Sequence, residues 1–296
     1  MSLMGLKHVV NFIVNHPLNK DHKFNALLRF ARWQLRLRTA SQPILYSFTD
    51  KAKLVVEKGM TGATGNLYCG LHEFNDMSFL LHFLREGDAF ADIGANVGSF
   101  TMLASAHVGA NSLTFEPVPA TFAKLKRNIE ANKINDKVTA YNAAVGSEPG
   151  TIHFTNTMDT QNHVSKEGGS GTIEVPVMTL DQVTQTKPIP ILMKVDVEGF
   201  ETEVIKGASK TLEQEGVKAI IIELPGIGHR YGYDESKIHD RFLELGFRSY
   251  QYNPLDRTLM AVEQFGSYNT LYVRDPEFVN NRIKTAPKFK VLKREI

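Results

Sequence analysis

Short apolar runs that alternate with amphipathic stretches dominate the chain from residue 88 onward. Five such runs predict buried β-strands, at residues 89–93, 112–115, 138–143, 191–195 and 218–222. Helical periodicity fills the intervals 100–107 and 119–132, and the second of these helices begins with a proline. Alternating strands and helices are typical of a mainly parallel sheet with helices on both faces. We therefore predict an α/β fold, with later strands at 248–252 and 270–274.

The first 85 residues have a mostly helical spacing, interrupted by a Gly-rich stretch at 59–70. The clearest helix covers 24–38, and a shorter one covers 75–84. On the first of these, apolar residues recur on one face: Phe24, Leu27, Leu28, Ala31 and Leu35. Phe30, Trp33 and Leu37 widen this apolar surface. Arginines form a stripe beside that face: Arg29, Arg32 and Arg36. We expect the apolar face to pack on the parent domain, and peripheral contact with an anionic membrane is the alternative.

Residues 147–186 interrupt the strand–helix alternation. Their apolar runs at 151–154 and 173–177 are expected to pair as a hairpin around the glycines at 168–171. The predicted units are, in chain order, a helical N-terminal extension or cap (1–85), an α/β domain (86–275) that contains the 147–186 insertion, and a basic C-terminal tail (276–296).

The charge is distributed unevenly along the 296 residues. The net charge is +2, yet residues 1–60 carry +7 and residues 282–296 carry +5, so the centre is acidic. Basic ends are typical of solvated helices and, alternatively, of a surface that meets anionic lipid. With 42% hydrophobic and 22% charged residues, the composition excludes a disordered or collagen-like chain.

Membrane spans and disulfides are not expected. No run approaches the roughly 18 apolar residues that cross a bilayer, so we expect a cytoplasmic protein, with the inner membrane face as the alternative location. The single cysteine, Cys69, excludes an intrachain disulfide and a zinc site built from cysteines.

The strongest signal for chemistry follows the first predicted strand of the α/β domain. Residues 92–98 read Asp-Ile-Gly-Ala-Asn-Val-Gly, a glycine-rich turn into a helix, where a ligand can approach backbone N–H groups. Glu116 closes the next strand, where an acid can bind both ribose hydroxyls of a nucleoside. The Gly-x-x-x-Gly spacing differs from the three-glycine turn of dinucleotide binders. Together with the acidic Asp92, it favours S-adenosylmethionine.

Further motifs follow in a specific order: Phe-Glu-Pro at 115–117, Lys-Val-Asp-Val-Glu-Gly at 194–199 and Ile-Glu-Leu at 222–224. With the turn at 92–98, they resemble the FkbM family of class I S-adenosylmethionine-dependent methyltransferases. The resemblance implies a Rossmann-like, seven-stranded, mainly parallel sheet with the last strand antiparallel. It also implies O-methylation of a hydroxyl on a saccharide, glycolipid or polyketide-like acceptor, with S-adenosylhomocysteine as the product.

The resemblance also implies which residues contact the methyl donor. They are Glu73, Asp92, Gly94, Asn96, Gly98, Glu116, Pro117, Asn142, Ala143, Ala144 and Asp196. Glu116 would hold the ribose, the segment 142–144 would flank the adenine, and Asp196 would lie near the amino group or the methyl. Apart from Glu73, these positions lie at or after the carboxyl ends of strands, where doubly wound sheets bind ligands.

A hydroxyl acceptor benefits from a base that takes its proton. Glu198 is the first candidate because it directly follows the fourth predicted strand. Asp196 is a further candidate, as is His163, because an imidazole titrates near neutral pH. The remaining candidates are Glu223, His229 and the pair His72 and Glu73.

We predict no metal ligand. A Mg²⁺ site formed by Asp196, Glu198 and Glu223 is kept as the alternative, because oxygen-rich clusters suit that ion. No His or Cys spacing typical of a zinc site is present.

Three other functions are open to the sequence. A nicotinamide-dependent oxidoreductase or epimerase is disfavoured by the absent third glycine. A nucleic-acid methyltransferase is disfavoured because residues 196–200 lack the Asn/Asp-Pro-Pro-aromatic run of enzymes that methylate base amino groups, and no nucleic-acid-binding module is recognisable. The third is a membrane-surface scaffold that retains only the fold. The expected partner is therefore a hydroxyl-bearing small molecule or saccharide, and no nucleic acid.

Overall fold

The computed structural model describes residues 3–57, 60–155, 163–165, 171–266, 269–292 and 294–296. The N-terminal elements are α1 (Leu3–Asn15), α2 (Lys23–Thr39), β1 (Ile44–Ser47), β2 (Lys53–Val56), α3 (Thr61–Cys69) and α4 (Phe74–Phe83). The antiparallel hairpin of β1 and β2 was not predicted. Helix α3 replaces the loose Gly-rich stretch, because buried Ala63 and Leu67 anchor it and packing outweighs low helix propensity.

The predicted packing face of α2 is wrong. Phe24 is 77% exposed and Leu35 is 66% exposed, whereas the opposite side of the helix buries Ala26, Phe30 and Leu37. The guanidinium of Arg29 turns inward and donates to the carbonyl oxygen of Tyr68. Helix α2 therefore carries apolar residues on two opposite faces, and only one of them packs on the domain.

The remaining elements alternate as the sequence predicts. They are β3 (Ala89–Ile93), α5 (Ser99–Thr101) with a π-helical continuation (Met102–Val108), β4 (Asn111–Phe115), α6 (Pro119–Asn132), β5 (Val138–Tyr141), β6 (Ala144–Val145), β7 (Gly150–Thr155), β8 (Val164–Ser165), β9 (Thr172–Met178), α7 (Leu180–Thr184), β10 (Leu192–Val195), α8 (Glu201–Gly207), α9 (Ser209–Glu213), β11 (Ala219–Glu223), a 3₁₀ helix (Ile227–Tyr231), α10 (Ser236–Glu244), β12 (Arg248–Asn253), β13 (Thr258–Ala261), β14 (Asn269–Val273), α11 (Pro276–Thr285), β15 (Lys290–Val291) and β16 (Arg294–Glu295).

The central sheet has the strand order β13-β12-β14-β11-β10-β3-β4-β5. Five neighbouring strands of this sheet are parallel: β11, β10, β3, β4 and β5. Strand β14 runs antiparallel to β11. The prediction of a mainly parallel sheet whose last strand is antiparallel is confirmed. The structure adds an eighth strand, β13, which pairs antiparallel with β12 at the edge.

Helices cover both faces of this sheet. Alternate side chains of each buried strand enter different cores: in β10, Leu192 packs with the N-terminal elements, and Met193 packs on the other side with α8 to α10. Because α1 to α4 and α11 share a core with the sheet, they are part of one packed body with it. The boundaries at residues 85 and 275 stay a prediction. No described helix is both long and apolar enough to cross a bilayer.

The insertion at 147–186 contributes to a separate four-stranded sheet of order β6-β9-β7-β8. The predicted hairpin is confirmed, since β7 and β9 pair antiparallel over their length. Of the glycines expected at its turn, those at 168–170 lie outside the described residues. The apolar side of this small sheet forms its own core with Phe200 and Tyr231, which brings the sheet against the segment that follows β10.

The turn after β3 and the end of β10 meet at a position that only glycine fits. Gly94 has a φ of +83°, and a Cβ atom there would overlap the carbonyl oxygen of Asp196. Glycine is needed here for its backbone conformation and also for the close approach of the two backbone segments that follow β3 and β10.

We predict that Gly94→Ala lowers the free energy of unfolding by about 3 kcal/mol or more, because left-handed strain and overpacking add. Gly87→Ala is the matched control, since Gly87 has a φ of +81° and open space around it. It should cost only about 1 kcal/mol. Urea unfolding of both variants is the measurement, and equal losses would contradict the close approach.

Candidate active site

A cavity of about 530 Å³ opens at the carboxyl ends of the parallel strands. Its size lies within the roughly 300–1,000 Å³ of small-molecule sites. Four strand ends contribute to it, and side chains from outside the central sheet close its sides: Val9 and Phe12 of α1, and Phe154 and Val164 of the small sheet. The cavity therefore lies where doubly wound folds bind their ligands.

The glycine-rich turn and Glu116 form one hydrogen-bonded unit. The Glu116 carboxylate accepts from the backbone N–H of Asn96 (3.0 Å) and of Val118 (2.9 Å). Asn96 adopts a left-handed φ of 52° in the turn. Burial raises the pKa of Glu116 to about 7 and outweighs the two hydrogen bonds, which lower it. Glu116 thus sits at the predicted end of the second strand and holds the turn beside the cavity.

Asp92 is buried under the first helix. One of its carboxylate oxygens accepts from the backbone N–H of Thr101 (3.0 Å) and from its hydroxyl (2.6 Å). Burial raises the pKa of Asp92 to about 6. Asp92 lines the cavity and also anchors the start of the helix that follows the turn.

The segment after β5 supplies the wall beyond Glu116. Ala143 and Ala144 line the cavity together with Pro117. Asn142 is not among the described lining residues, because its side-chain amide donates to the carbonyl oxygens of Glu116 and Pro117, both at 2.9 Å. Asn142 therefore orients the wall rather than forming it.

A buried ammonium group, that of Lys194, lines the cavity. Lys194 is 2% exposed, and its Nζ lies 2.8 Å from Asp196 and 3.8 Å from Glu73. Burial alone would lower the pKa of Lys194, but the carboxylates of Asp196 and Glu73 outweigh it and raise the pKa. No role is predicted for Lys194 from the sequence. A lysine inside an apolar strand, two residues before Asp196 on the same face, is the signal that marks it.

Three carboxylates converge beside that ammonium. Single oxygen atoms of Asp196, Glu198 and Glu223 all lie within 4.8 Å of one another. Burial and the negative charge of Asp196 raise the pKa of Glu223, so that its protonated carboxyl shares a hydrogen bond with Asp196. Burial would raise the pKa of Asp196 as well, but Lys194 outweighs it and lowers the pKa. These residues are the set considered for Mg²⁺, and the ammonium group of Lys194 pairs with one of them, Asp196.

Glu198 projects into the cavity from a strained loop. Its φ is 54°, and the next residue, Gly199, has a φ of +98°. Burial raises the pKa of Glu198 to about 7, with a further contribution from Asp196. Strain of this kind costs about 1–3 kcal/mol and persists only where surrounding contacts fix it.

Glu201 provides those contacts. A single carboxylate oxygen, Oε1, accepts from the backbone N–H groups of Val197 and Gly199, both at 3.2 Å. The other oxygen is buried without a hydrogen-bond partner among the described residues. Burial raises the pKa of Glu201 to about 7. The buried carboxyl group of Glu201 therefore holds the loop of Glu198 in place.

The predicted histidines lie at different distances from this centre. His72 lines the cavity, and burial lowers its pKa. His163 precedes β8, where its backbone pairs with Thr155, and it is not among the described lining residues. His229 is exposed in the 3₁₀ helix. The proposed roles of these histidines stay predictions.

The donor set fits S-adenosylmethionine. That ligand combines the ammonium group of its amino acid end with a ribose diol, and the cavity offers carboxylates for both. Asp92 and Asp196 lie by the turn, and Glu116 lies at the adjacent strand end. Gly94 lines the cavity, whereas Gly98 is not among the described lining residues, and a Cβ atom on it would meet the side chain of Leu125.

Comparison with known proteins agrees with this geometry. The methyltransferase FkbM domain matches residues 92–249, which hold the turn, Glu116 and the carboxylate cluster. The chain belongs to the FkbM methyltransferase family. For this family, S-adenosylmethionine is the implied methyl donor, and the match covers more than half of the chain.

Two relatives are informative. The hexuronic acid methyltransferase AglP of Haloferax volcanii is 31% identical over 147 residues, which are 49% of this chain and 59% of AglP. The 31-O-demethyl-FK506 methyltransferase FkbM of Streptomyces tacrolimicus is 36% identical over 85 residues, 28% of this chain and 32% of the relative. This chain thus spans less than two thirds of the length of either relative. A solved FkbM methyltransferase from Methylobacillus flagellatus matches 71% of this chain and 52% of its own, at 15% identity and a TM-score of 0.44.

We predict that Glu201→Gln stabilises the chain at about pH 8 by about 2–3 kcal/mol and leaves it nearly unchanged at about pH 4, below both pKa values. The glutamine keeps an oxygen for both N–H groups and cannot ionise. Between pH 4.5 and about pH 7, Glu201 of the folded wild type keeps its proton, whereas in the unfolded chain the same group has lost it. Its stability therefore falls as the pH rises through that window.

Urea unfolding at both pH values tests this, with exposed Glu130→Gln as the control. An equal effect of Glu201→Gln at the two pH values would show that Glu201 does not carry the raised pKa.

Proposed function

We propose that the chain is an S-adenosylmethionine-dependent O-methyltransferase that acts on a hydroxyl of a saccharide, glycolipid or polyketide-like acceptor. The observation that carries the proposal is the position of the Glu198 carboxyl group beside Asp196 and Glu223, in the cavity formed by the strand ends. The pKa of Glu198 is raised to about 7. The names of the two relatives, a hexuronic acid methyltransferase and a 31-O-demethyl-FK506 methyltransferase, support the class of acceptor.

The chain's own residues would bind and orient the donor. When bound, S-adenosylmethionine supplies a methyl group on a sulfonium that is already activated for attack. Glu116 is placed for the ribose hydroxyls, and Ala143, Ala144 and Pro117 offer an apolar wall for the adenine. Asp196, kept negative by Lys194, is placed for the cationic end of the ligand.

Glu198 is the proposed general base. A pKa of about 7 leaves a large fraction of this group ionised at neutral pH, and such a base is well matched to its task. The carboxylate would take the proton of the acceptor hydroxyl. Glu223 is a less favoured base, because burial and the charge of Asp196 raise its pKa and so favour its protonated form. His163 is also less favoured as the base, since it lies outside the described lining.

The acceptor has a route of its own to this centre. A second cavity, of about 840 Å³, shares Phe12, His72, Glu73, Asp196 and Glu223 with the first. A molecule bound there would approach the carboxylate cluster from the side of α1. Alignment of a hydroxyl at this junction would supply much of the rate, because the methyl group is already activated.

The charges of the junction favour an uncharged acceptor. Among the described residues that line the two cavities, Lys194 is the only lysine or arginine, and it is paired with Asp196 and Glu73. A carboxylate on the acceptor would meet a mostly acidic surface without a partner. We therefore expect a neutral saccharide or polyketide to be preferred over a uronic acid.

Methyl transfer from radiolabelled S-adenosylmethionine to a panel of acceptors tests the proposal. The panel should pair neutral hexosides with the matching hexuronides and include a macrolide that carries free hydroxyls. The expected result is label in an O-methyl ether, with the neutral member of each pair preferred. Label only in a methyl ester of the hexuronide carboxylate, with none in a hydroxyl, would overturn it.

We predict that Glu198→Gln lowers kcat by about a hundredfold or more and leaves the affinity for S-adenosylhomocysteine unchanged. The wild-type kcat should rise with pH toward about 7, as Glu198 loses its proton, and this limb should vanish in the variant. Glu203→Gln is the control, because Glu203 lies in the first turn of α8, which follows the loop of Glu198, but is outside the described cavity lining. Wild-type turnover in Glu198→Gln would exclude Glu198 as the base.

A further inference from the structure

Helix α2 presents an apolar stripe to solvent on the side that faces away from the domain. Phe24, Leu28, Ala31 and Leu35 recur at helical spacing, and all four are exposed. The opposite side of α2 is already used, because Ala26, Phe30 and Leu37 are buried in the core. The stripe is therefore a second apolar face that folding leaves uncovered.

The charges around the stripe have one sign. At 3.6 residues per turn, Arg32 and Arg38 fall on either side of the stripe, and neither pairs with a described carboxylate. Helix α2 contains no acidic residue. Asp21 is the only acidic residue between positions 3 and 49, and Arg294 pairs with it at 2.6 Å.

We propose that this face of α2 docks the protein on an anionic lipid surface. An exposed apolar stripe flanked by arginines can insert its side chains between headgroups while the guanidinium groups meet lipid phosphates. A second copy of the same face is a poorer occupant, because pairing two stripes would bring their arginines together. The complementary partner is a lipid surface with an apolar interior and negatively charged headgroups.

Sedimentation of the full chain with vesicles tests this docking. The chain should sediment with vesicles of phosphatidylcholine mixed with phosphatidylglycerol and not with phosphatidylcholine alone. Binding should weaken as salt is added. Failure to sediment with the anionic vesicles at low salt would overturn the proposal. The assay needs neither methyl donor nor acceptor, so its outcome is independent of the proposed function.

Two pairs of variants separate charge from apolar contact. Arg32→Gln with Arg38→Gln should weaken vesicle binding about 20- to 30-fold, at about 1 kcal/mol for each arginine. Lys210→Gln with Lys237→Gln removes the same charge from exposed positions on α9 and α10, which pack on the other face of the central sheet. That control should bind like the wild type. Equal loss in both pairs would mean that net charge alone acts.

The apolar pair is Phe24→Ser with Leu35→Ser, which should weaken binding about tenfold or more. Its control, Leu255→Ser with Met260→Ser, removes similarly exposed apolar side chains near the β12–β13 edge. Because all four side chains are exposed, melting temperatures should not change. Unaltered vesicle binding by the Phe24 and Leu35 variant would overturn the proposal. A dimer that this variant abolishes, with no vesicle binding by the wild type, would show that a second copy covers the face.

Discussion

One buried ammonium group sets the charge balance of the candidate active site. Lys194 lies in register with Asp92 on the neighbouring strand, and its Nζ pairs with Asp196 and Glu73. An unpaired charge in such a place costs several kcal/mol. Because Lys194 neutralises this part of the sheet and Glu223 keeps a proton, several carboxylates can gather at the strand ends. Glu198 then remains as a lining carboxylate that titrates near neutral pH.

The central fold follows from local sequence patterns. The strands and the helix over residues 119–132 lie where apolar runs, turn glycines and a first-turn proline predict them. The N-terminal region was harder to predict because its signals conflict. Helix α2 has apolar residues on two faces, and periodicity cannot tell which face meets a core that other segments build. The short hairpin of β1 and β2 and the glycine-containing α3 are likewise stabilised by tertiary packing that local propensity does not report.

The site divides in the same way. Strand-end positions such as Glu116 and Asp196 follow from motif order, since parallel strands bring their carboxyl ends together. The pairings between distant elements do not: Glu73 was expected at the site, but its pairing with Lys194 was not predicted. Nor was the contact of Glu201 with the loop of Glu198. Asn142 shows the converse, because a motif position is used to orient Pro117 instead of lining the cavity.

Calorimetric titration with S-adenosylhomocysteine, with NAD as the comparison, tests the central claim most directly. We expect each chain to bind one molecule of S-adenosylhomocysteine and no NAD. Glu116→Ala should weaken that binding by about 1–3 kcal/mol, because buried hydroxyls would lose their acceptor. Binding of NAD instead, or full affinity in Glu116→Ala, would contradict the placement of the methyl donor at the strand ends.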